Sequence, residues 1–349
     1  MPKRARPSAS PITTSLTKVV AALVLIAVAA GCGSEDNKGV GNIPDTTRRP
    51  VEDTPVTESS LSVAEAAAAE IDEAPIRASL SHLTGASAAP LAGGAVTITD
   101  RGSEERRRAV AEYMKESFEA TGVPARILEF TSDNRFGTKR GFNVEATLEG
   151  TEGKKHLWVT AHLDNVFNAG ANDNATGLVS ILMSARALEQ LEPTHTVHFV
   201  AYDLEEIGAV GSTRYTASVV SDIRDQQGDT AIIGNLNSDM IGYDEGKFEA
   251  VMGTCSRAGA IDEAILRASE EIDSPLGISD DCLGRSDHQN FWDAGLPAVV
   301  MTDGAEYDGY PWYHTSDDTI DKLNLPYLRS MIQLNAATAA LLAVPESES

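Results

Sequence analysis

With 349 residues, 42% of them hydrophobic, the chain can fill one large core or two small ones, and its composition is neither disordered nor fibrous. The formal charge of -24 argues against nucleic acid as a partner, because phosphate binding needs clustered Lys and Arg that this sequence lacks. Beyond solubility, acidity says little more.

In chain order, Lys3, Arg4, Arg6 and Lys18 precede the apolar stretch VVAALVLIAVAAGC, which has signal-peptide length and is short for a bilayer span. Residues 1–31 are therefore expected to be an export signal. The stretch closes on Ala29, Ala30, Gly31 and Cys32. This resembles a bacterial lipobox, whose Cys is acylated and becomes the mature N-terminus. The other reading is an ordinary cleaved signal with an incidental Cys. The first places the protein in the cell envelope on a lipid anchor in the membrane, the second makes it secreted. Residues 32–60 are rich in Gly, Pro, Ser, Thr and acidic residues with no apolar period, as suits a tether, and 61–349 are left as the folded domain. Cys255 and Cys282 also remain. An oxidising compartment favours a disulfide between them, buried thiols are the alternative, and without a CxxC pattern zinc on sulfur is not expected.

The run LSVAEAAAAEIDEAPIRASLSHLTG has helical composition and stops at Gly85. A second helix places Val110, Tyr113, Met114 and Phe118 on one face, with Ser103 to cap its start and Gly122 its end. Strands are predicted at ARILEF, FNVEATLEG and HLWVTAHLD, then a helix at NATGLVSILMSARALEQL and a strand at HTVHFVAYD. A short helix from Ser212, strands at AIIGNLNSDM and FEAVMG, a helix near 258–272, a strand at AVVMT and a closing helix begun by Asn324 and Pro326 complete the chain. Strands alternating with helices predict an α/β fold, a mostly parallel sheet covered on both faces.

In such a sheet, ligands bind at the carboxyl ends of the strands. The polar residues there are His162 and Asp164 after LWVTA, Asp203, Glu205 and Glu206 after VHFVAY, and Asp239 after IIGNLNS; His314 follows AVVMT and a loop, and GANDNATG puts Asp173 at a helix start. Each has a plainer reading alone, as a structural His or a helix cap. Together they form a histidine and carboxylate set suited to zinc or a similar divalent ion. Successive residues at a strand's end point to opposite sides, so of Glu205 and Glu206 one can ligate and the other can face a bound water. Asp164 is placed to orient the His162 imidazole.

The segments TAHLDN, GANDNATG, AYDLEEIGAVGS, NSDMIG, RSDHQNFWDAGLPAVV and YHTSDDT occur in the order seen in secreted zinc exopeptidases of the bacterial leucyl aminopeptidase and aminopeptidase Y type. That family also contains glutamate carboxypeptidases and glutaminyl cyclases, the latter with fewer metal ligands. The resemblance implies a three-layer sandwich around a mixed, mostly parallel sheet, with 61–349 as the catalytic domain. It implies two Zn2+ ions bridged by Asp173, one completed by His162 and Asp239, the other by Glu206 and His314, with Glu205 as general base. The implied activity is release of N-terminal residues from peptide substrates, one ion receiving the free α-amino group. Ser286, Asp287 and His288 resemble the family's substrate-side loop, read as pocket wall or helix cap. Asn172 departs from the second Asp of many members, and Asn165 from a frequent Ser. A carboxypeptidase or dipeptidase on the same scaffold would need a base for the substrate's terminal carboxylate, for which Arg285 is the candidate. A non-catalytic metal-binding lipoprotein would show a lost ligand or base, and none is lost.

Overall fold

The computed structural model describes residues 61–134, 137–305 and 309–345. The expected signal, Cys32 and the tether lie outside the described residues. Among those described, no helix is long and apolar enough to cross a membrane.

The N-terminal helical run forms α1 (Val63–Ala69) and α2 (Glu73–Leu83), divided at Ile71, whose side chain is buried. Ser62 caps α1 in a reciprocal pair with Glu65. Next, α3 (Glu104–Ala120) starts on a Ser103 cap and buries Val110, Tyr113, Met114 and Phe118, the face its spacing predicts. The hairpin of β1 (Ala125–Asn134) and β2 (Gly137–Leu148) leads to β3 (His156–His162), α4 (Thr176–Glu189) and β4 (Thr196–Tyr202). Then follow α5 (Val210–Tyr215), α6 (Ser221–Gln227), β5 (Ile232–Ser238), β6 (Glu249–Gly253) and α7 (Ile261–Glu271). The last elements are β7 (Gly277–Asp281), α8 (Gln289–Asp293), β8 (Ala298–Asp303) and α9 (Leu325–Ala343), capped by Asn324.

The eight strands form one sheet in the order β1-β2-β4-β3-β5-β8-β6-β7. Its centre, β4-β3-β5-β8, is parallel, while β2 joins β4 and β6 joins β8 antiparallel, so the sheet is mixed as expected. Side chains alternate between the faces. Leu157, Val159, Ala161, Val197, Phe199, Ala201 and Leu236 enter the larger core with α1 to α4, α7 and α9. Trp158, Val200 and Tyr202 enter a smaller core with Tyr215, Val220, Phe291 and Trp292. The edge strand β7 is mostly exposed and ends in acidic residues, which discourages pairing with another chain. Cys255 and Cys282 are joined as a disulfide, tying the loop after β6 to the end of β7.

Candidate metal centre

Strands β3, β4 and β5 lie side by side and run parallel, so their carboxyl ends deliver His162, the Glu205–Glu206 turn and Asp239 to one rim. His162 Nε2 lies 3.1 Å from Asp173 Oδ1 and 3.3 Å from Asp239 Oδ1. His314 Nε2 lies 3.2 Å from Asp173 Oδ2 and 2.9 Å from Glu206 Oε2. Two donor groups result, His162, Asp173 and Asp239 on one side and Asp173, Glu206 and His314 on the other, each with ligand atoms within 4.8 Å of one another. The Asp173 carboxylate serves both, one oxygen facing each.

This donor set fits a divalent cation. Imidazole nitrogens and carboxylate oxygens converge in a buried space, and Glu206 Oε1 is buried without a hydrogen-bond partner. Burial pushes the Glu206 carboxyl up to about 7, with the Asp173 charge adding to it. Burial would lower the His314 imidazole, yet hydrogen bonds to Asp173 and Glu206 raise it to about 10. Burial also drives Glu205 well above the carboxylate range; His162 opposes this, while Asp287, Asp239 and Glu206 add to it. Positive charge is what such a site stabilises, and a bound cation supplies it.

The Glu205–Glu206 arrangement has a different cause from the one predicted. Strand β4 ends at Tyr202, so the two glutamates are not successive strand residues. Leu204, at φ 63°, turns the chain out of the strand direction. Asp164 then accepts from both backbone amides, Oδ1 from Glu205 N at 2.8 Å and Oδ2 from Glu206 N at 3.3 Å. The His162 Nδ1 is met at 3.2 Å by the Asp164 carbonyl, with the carboxylate 3.8 Å away. Asp164 therefore orients the imidazole through its backbone and spends its side chain on the glutamate turn.

The SDH segment, expected as pocket wall or helix cap, lies at the start of α8 with His288 in the N-cap position. Ser286, Asp287 and His288 are buried, with 2%, 0% and 0% exposure, and offer no free surface to a substrate. Ser286 accepts from Asn237 Nδ2 at 2.9 Å, and His288 Nε2 meets the Leu283 carbonyl at 2.7 Å while its ring packs on Trp292. Asp287 acts on Glu205 from within the protein through its charge. The motif is buried at the start of α8, and the Asp287 carboxylate and His288 Nδ1 are buried there without hydrogen-bond partners among the described residues. Arg285, just before it, is exposed and belongs to neither donor group.

A family model, Peptidase family M28, matches residues 143–339. The chain belongs to peptidase family M28. It is similar to Aminopeptidase YwaD of Bacillus subtilis (strain 168), 29% identical over 246 residues that cover 68% of this chain and 50% of that protein. It is also similar to Leupeptin-inactivating enzyme 1 of Streptomyces exfoliatus, 28% identical over 65% of this chain and 51% of that one. The chain thus spans about half the length of these two relatives. In fold it resembles a zinc aminopeptidase from Bacillus subtilis at TM-score 0.68 and 16% identity, covering 80% of this chain and 97% of that one. A Fimbriiglobus ruber glutaminyl cyclase shares the fold at TM-score 0.65 and 18% identity, covering 78% and 95%.

Two supporting residues of this M28 site escaped the sequence reading. Asp318, in YHTSDDT, accepts from Asn172 N at 2.8 Å, Asp173 N at 3.1 Å and the Tyr310 hydroxyl at 2.8 Å, locking the His314 loop to the Asp173 loop. Its place in a motif was the available signal. Arg101 lies outside the M28 match and is wholly buried. Its guanidinium donates to the carbonyls of Leu163 at 2.9 Å, Leu83 at 3.1 Å, Ala169 at 3.0 Å, Gly170 at 2.9 Å and Asp173 at 3.2 Å. Gly170, at φ 57°, is required there, because an added Cβ would stand 2.6 Å from Arg101 Nη2 and 2.5 Å from the Asp173 carbonyl. Burial lowers the Arg101 pKa, and the charges of Asp318, Asp173, Asp164 and Glu206 oppose that.

Proposed function

We propose that this protein is a di-zinc aminopeptidase that releases single residues from the N-termini of peptides, exported and held in the cell envelope by a lipid on Cys32. The observation that carries the reading is the Asp173 carboxylate, with one oxygen 3.1 Å from His162 Nε2 and the other 3.2 Å from His314 Nε2. A carboxylate shared by two otherwise separate donor groups suits two ions. The names of the relatives and of the structural neighbour support both zinc and aminopeptidase chemistry.

His162, Asp173 and Asp239 would hold one ion, and Asp173, Glu206 and His314 the other. Held there, zinc would supply Lewis-acid polarisation of the scissile carbonyl and a water of near-neutral pKa. Glu205 belongs to neither donor group. Kept ionised by bound cations, which would offset the burial and the neighbouring carboxylates that raise its proton affinity, it can take a proton from the attacking water and pass it to the leaving amine nitrogen. Asp164 holds this base in place through the Glu205 amide. The acidic cluster also attracts the protonated amino terminus of a peptide, which an N-blocked substrate lacks.

Glu205→Gln separates the roles of the two glutamates. It should retain the zinc content of the wild type and lower kcat by about a thousandfold, the scale of general-base loss. Loss of zinc in this variant would transfer the ligand role to Glu205. Turnover of an N-blocked peptide in place of an amino acid p-nitroanilide would sink the aminopeptidase reading.

A further inference from the structure

A cavity of about 310 Å³ adjoins the centre on the side of β2. Glu206 and Asp164 form its inner wall, and Val166, Phe167, Leu204 and Ile207 give it an apolar lining. Phe167 is 72% exposed and presents its ring at the mouth of this space. Two cations also line this space, and they differ in their commitments. Arg107 is consumed by the protein, its Nε 2.9 Å from Asp203 Oδ1 and its remaining donors on the Gly102 and Arg140 carbonyls. Lys139, half-buried on β2, makes no ion pair or hydrogen bond among the described residues.

In the strand order β2-β4-β3-β5-β8, the side away from β2 carries an aromatic group of Tyr243, Tyr310, Trp312 and Tyr313 around Met240, which follows Asp239 directly after β5. A peptide crossing the centre must place its amino-terminal side toward one flank and its carboxyl-terminal side toward the other. An uncommitted ammonium repels a protonated amine and attracts a carboxylate. The Lys139 flank therefore suits the carboxyl-terminal side. The volume is at the small end for a ligand pocket and accommodates about one residue beyond the cut bond.

We propose that this cavity receives the residue after the scissile bond, favours an apolar side chain there, and binds a terminal carboxylate through Lys139. The inference rests on the aminopeptidase reading above and narrows its substrates toward dipeptides and other short peptides. In a chain of net charge -24, the Lys139 ammonium lining this cavity offsets the repulsion a carboxylate meets on approach.

The test compares Leu-Leu with Leu-Leu-amide, using the zinc-loaded full chain. The free acid should be cleaved with a kcat/KM about tenfold above the amide, mostly through KM, as expected for one charge-assisted hydrogen bond. Lys139→Met should bring the ratio near one, Lys139→Glu should invert it, and Lys139→Arg should restore much of it. Equal cleavage of the two substrates by wild type would overturn the carboxylate site and leave the aminopeptidase standing. An undiminished ratio in Lys139→Met would do the same. Cleavage of neither by wild type would overturn the aminopeptidase reading and this inference with it.

Discussion

The two donor groups use similar chemistry in unlike surroundings. In the deep group, the side chains of His162, Asp173 and Asp239 are 2%, 5% and 6% exposed. His162 ends a central strand and has its second nitrogen on the Asp164 carbonyl, and Asp239 is anchored by its amide to Met301 O at 3.1 Å. In the rim group, the His314 side chain is 36% exposed. It sits on a loop at φ 56°, its ring stacks on Tyr313 at 3.8 Å, and its Nδ1 has no hydrogen-bond partner among the described residues. Backing of a ligating imidazole fixes its orientation and raises its affinity. The sheet therefore preforms one half of the centre, while a loop completes the other. The rim group should accordingly release a bound ion more readily than the deep group.

The largest effect should come from the residue both halves share. Asp173→Asn removes charge from each group and should drop zinc from two per chain to below one, with activity lost by at least about a thousandfold, since the residues act as a unit. Retention of two zinc ions would break the claim that Asp173 is shared. Next come the two half-specific variants. His314→Ala should leave one tightly held zinc, whereas Asp239→Ala should weaken the deep ion and disturb the rim ion through the common Asp173. Chelator titration of wild type should then proceed in two steps, the first abolished by His314→Ala. A single step in wild type would show that the halves do not differ in affinity.

Much of this comparison was legible in the chain itself, because His162, Glu205, Glu206 and Asp239 each follow an apolar run that reads as a strand, and parallel strands bring their carboxyl ends together. Asp173 and His314 arrived by motif. What could not be read has physical reasons. Strand β7, GISDD, has no apolar face because it is an exposed edge, so no period marks it. The SDH segment looked like a polar loop, yet it is buried: Asn237, Leu283 and Trp292 meet Ser286 and His288, while the Asp287 carboxylate is buried without a hydrogen-bond partner among the described residues. The separation of Glu205 from Glu206 depends on one left-handed residue, Leu204, which carries no sequence signature. Arg101 is hidden for a similar reason. In DRGS it looks like a surface turn, and only the folded chain brings the carbonyls of Leu83, Leu163 and the 169–173 loop around it.

Arg101 also gives the finest test of the difference between the halves. It donates to the carbonyl next to His162 and the carbonyl of Asp173, and meets the His314 loop only through the charge of Asp318. Lys at this position would keep the charge while losing the planar fork that reaches several carbonyls at once. Arg101→Lys should therefore loosen the deep half more than the rim half, which it reaches only through the shared Asp173 and through charge. The zinc affinity of the deep half should fall by about tenfold, the low end for a residue that positions ligands, and the two chelation steps of the wild type should move together. Unpaired buried carbonyls should also lower stability by about 2 kcal/mol, read from urea unfolding of the zinc-free protein. If the rim step moved and the deep step stayed, Arg101 would be backing the loop that carries His314, and the rigidity of the deep half would have to come from the strand ends alone.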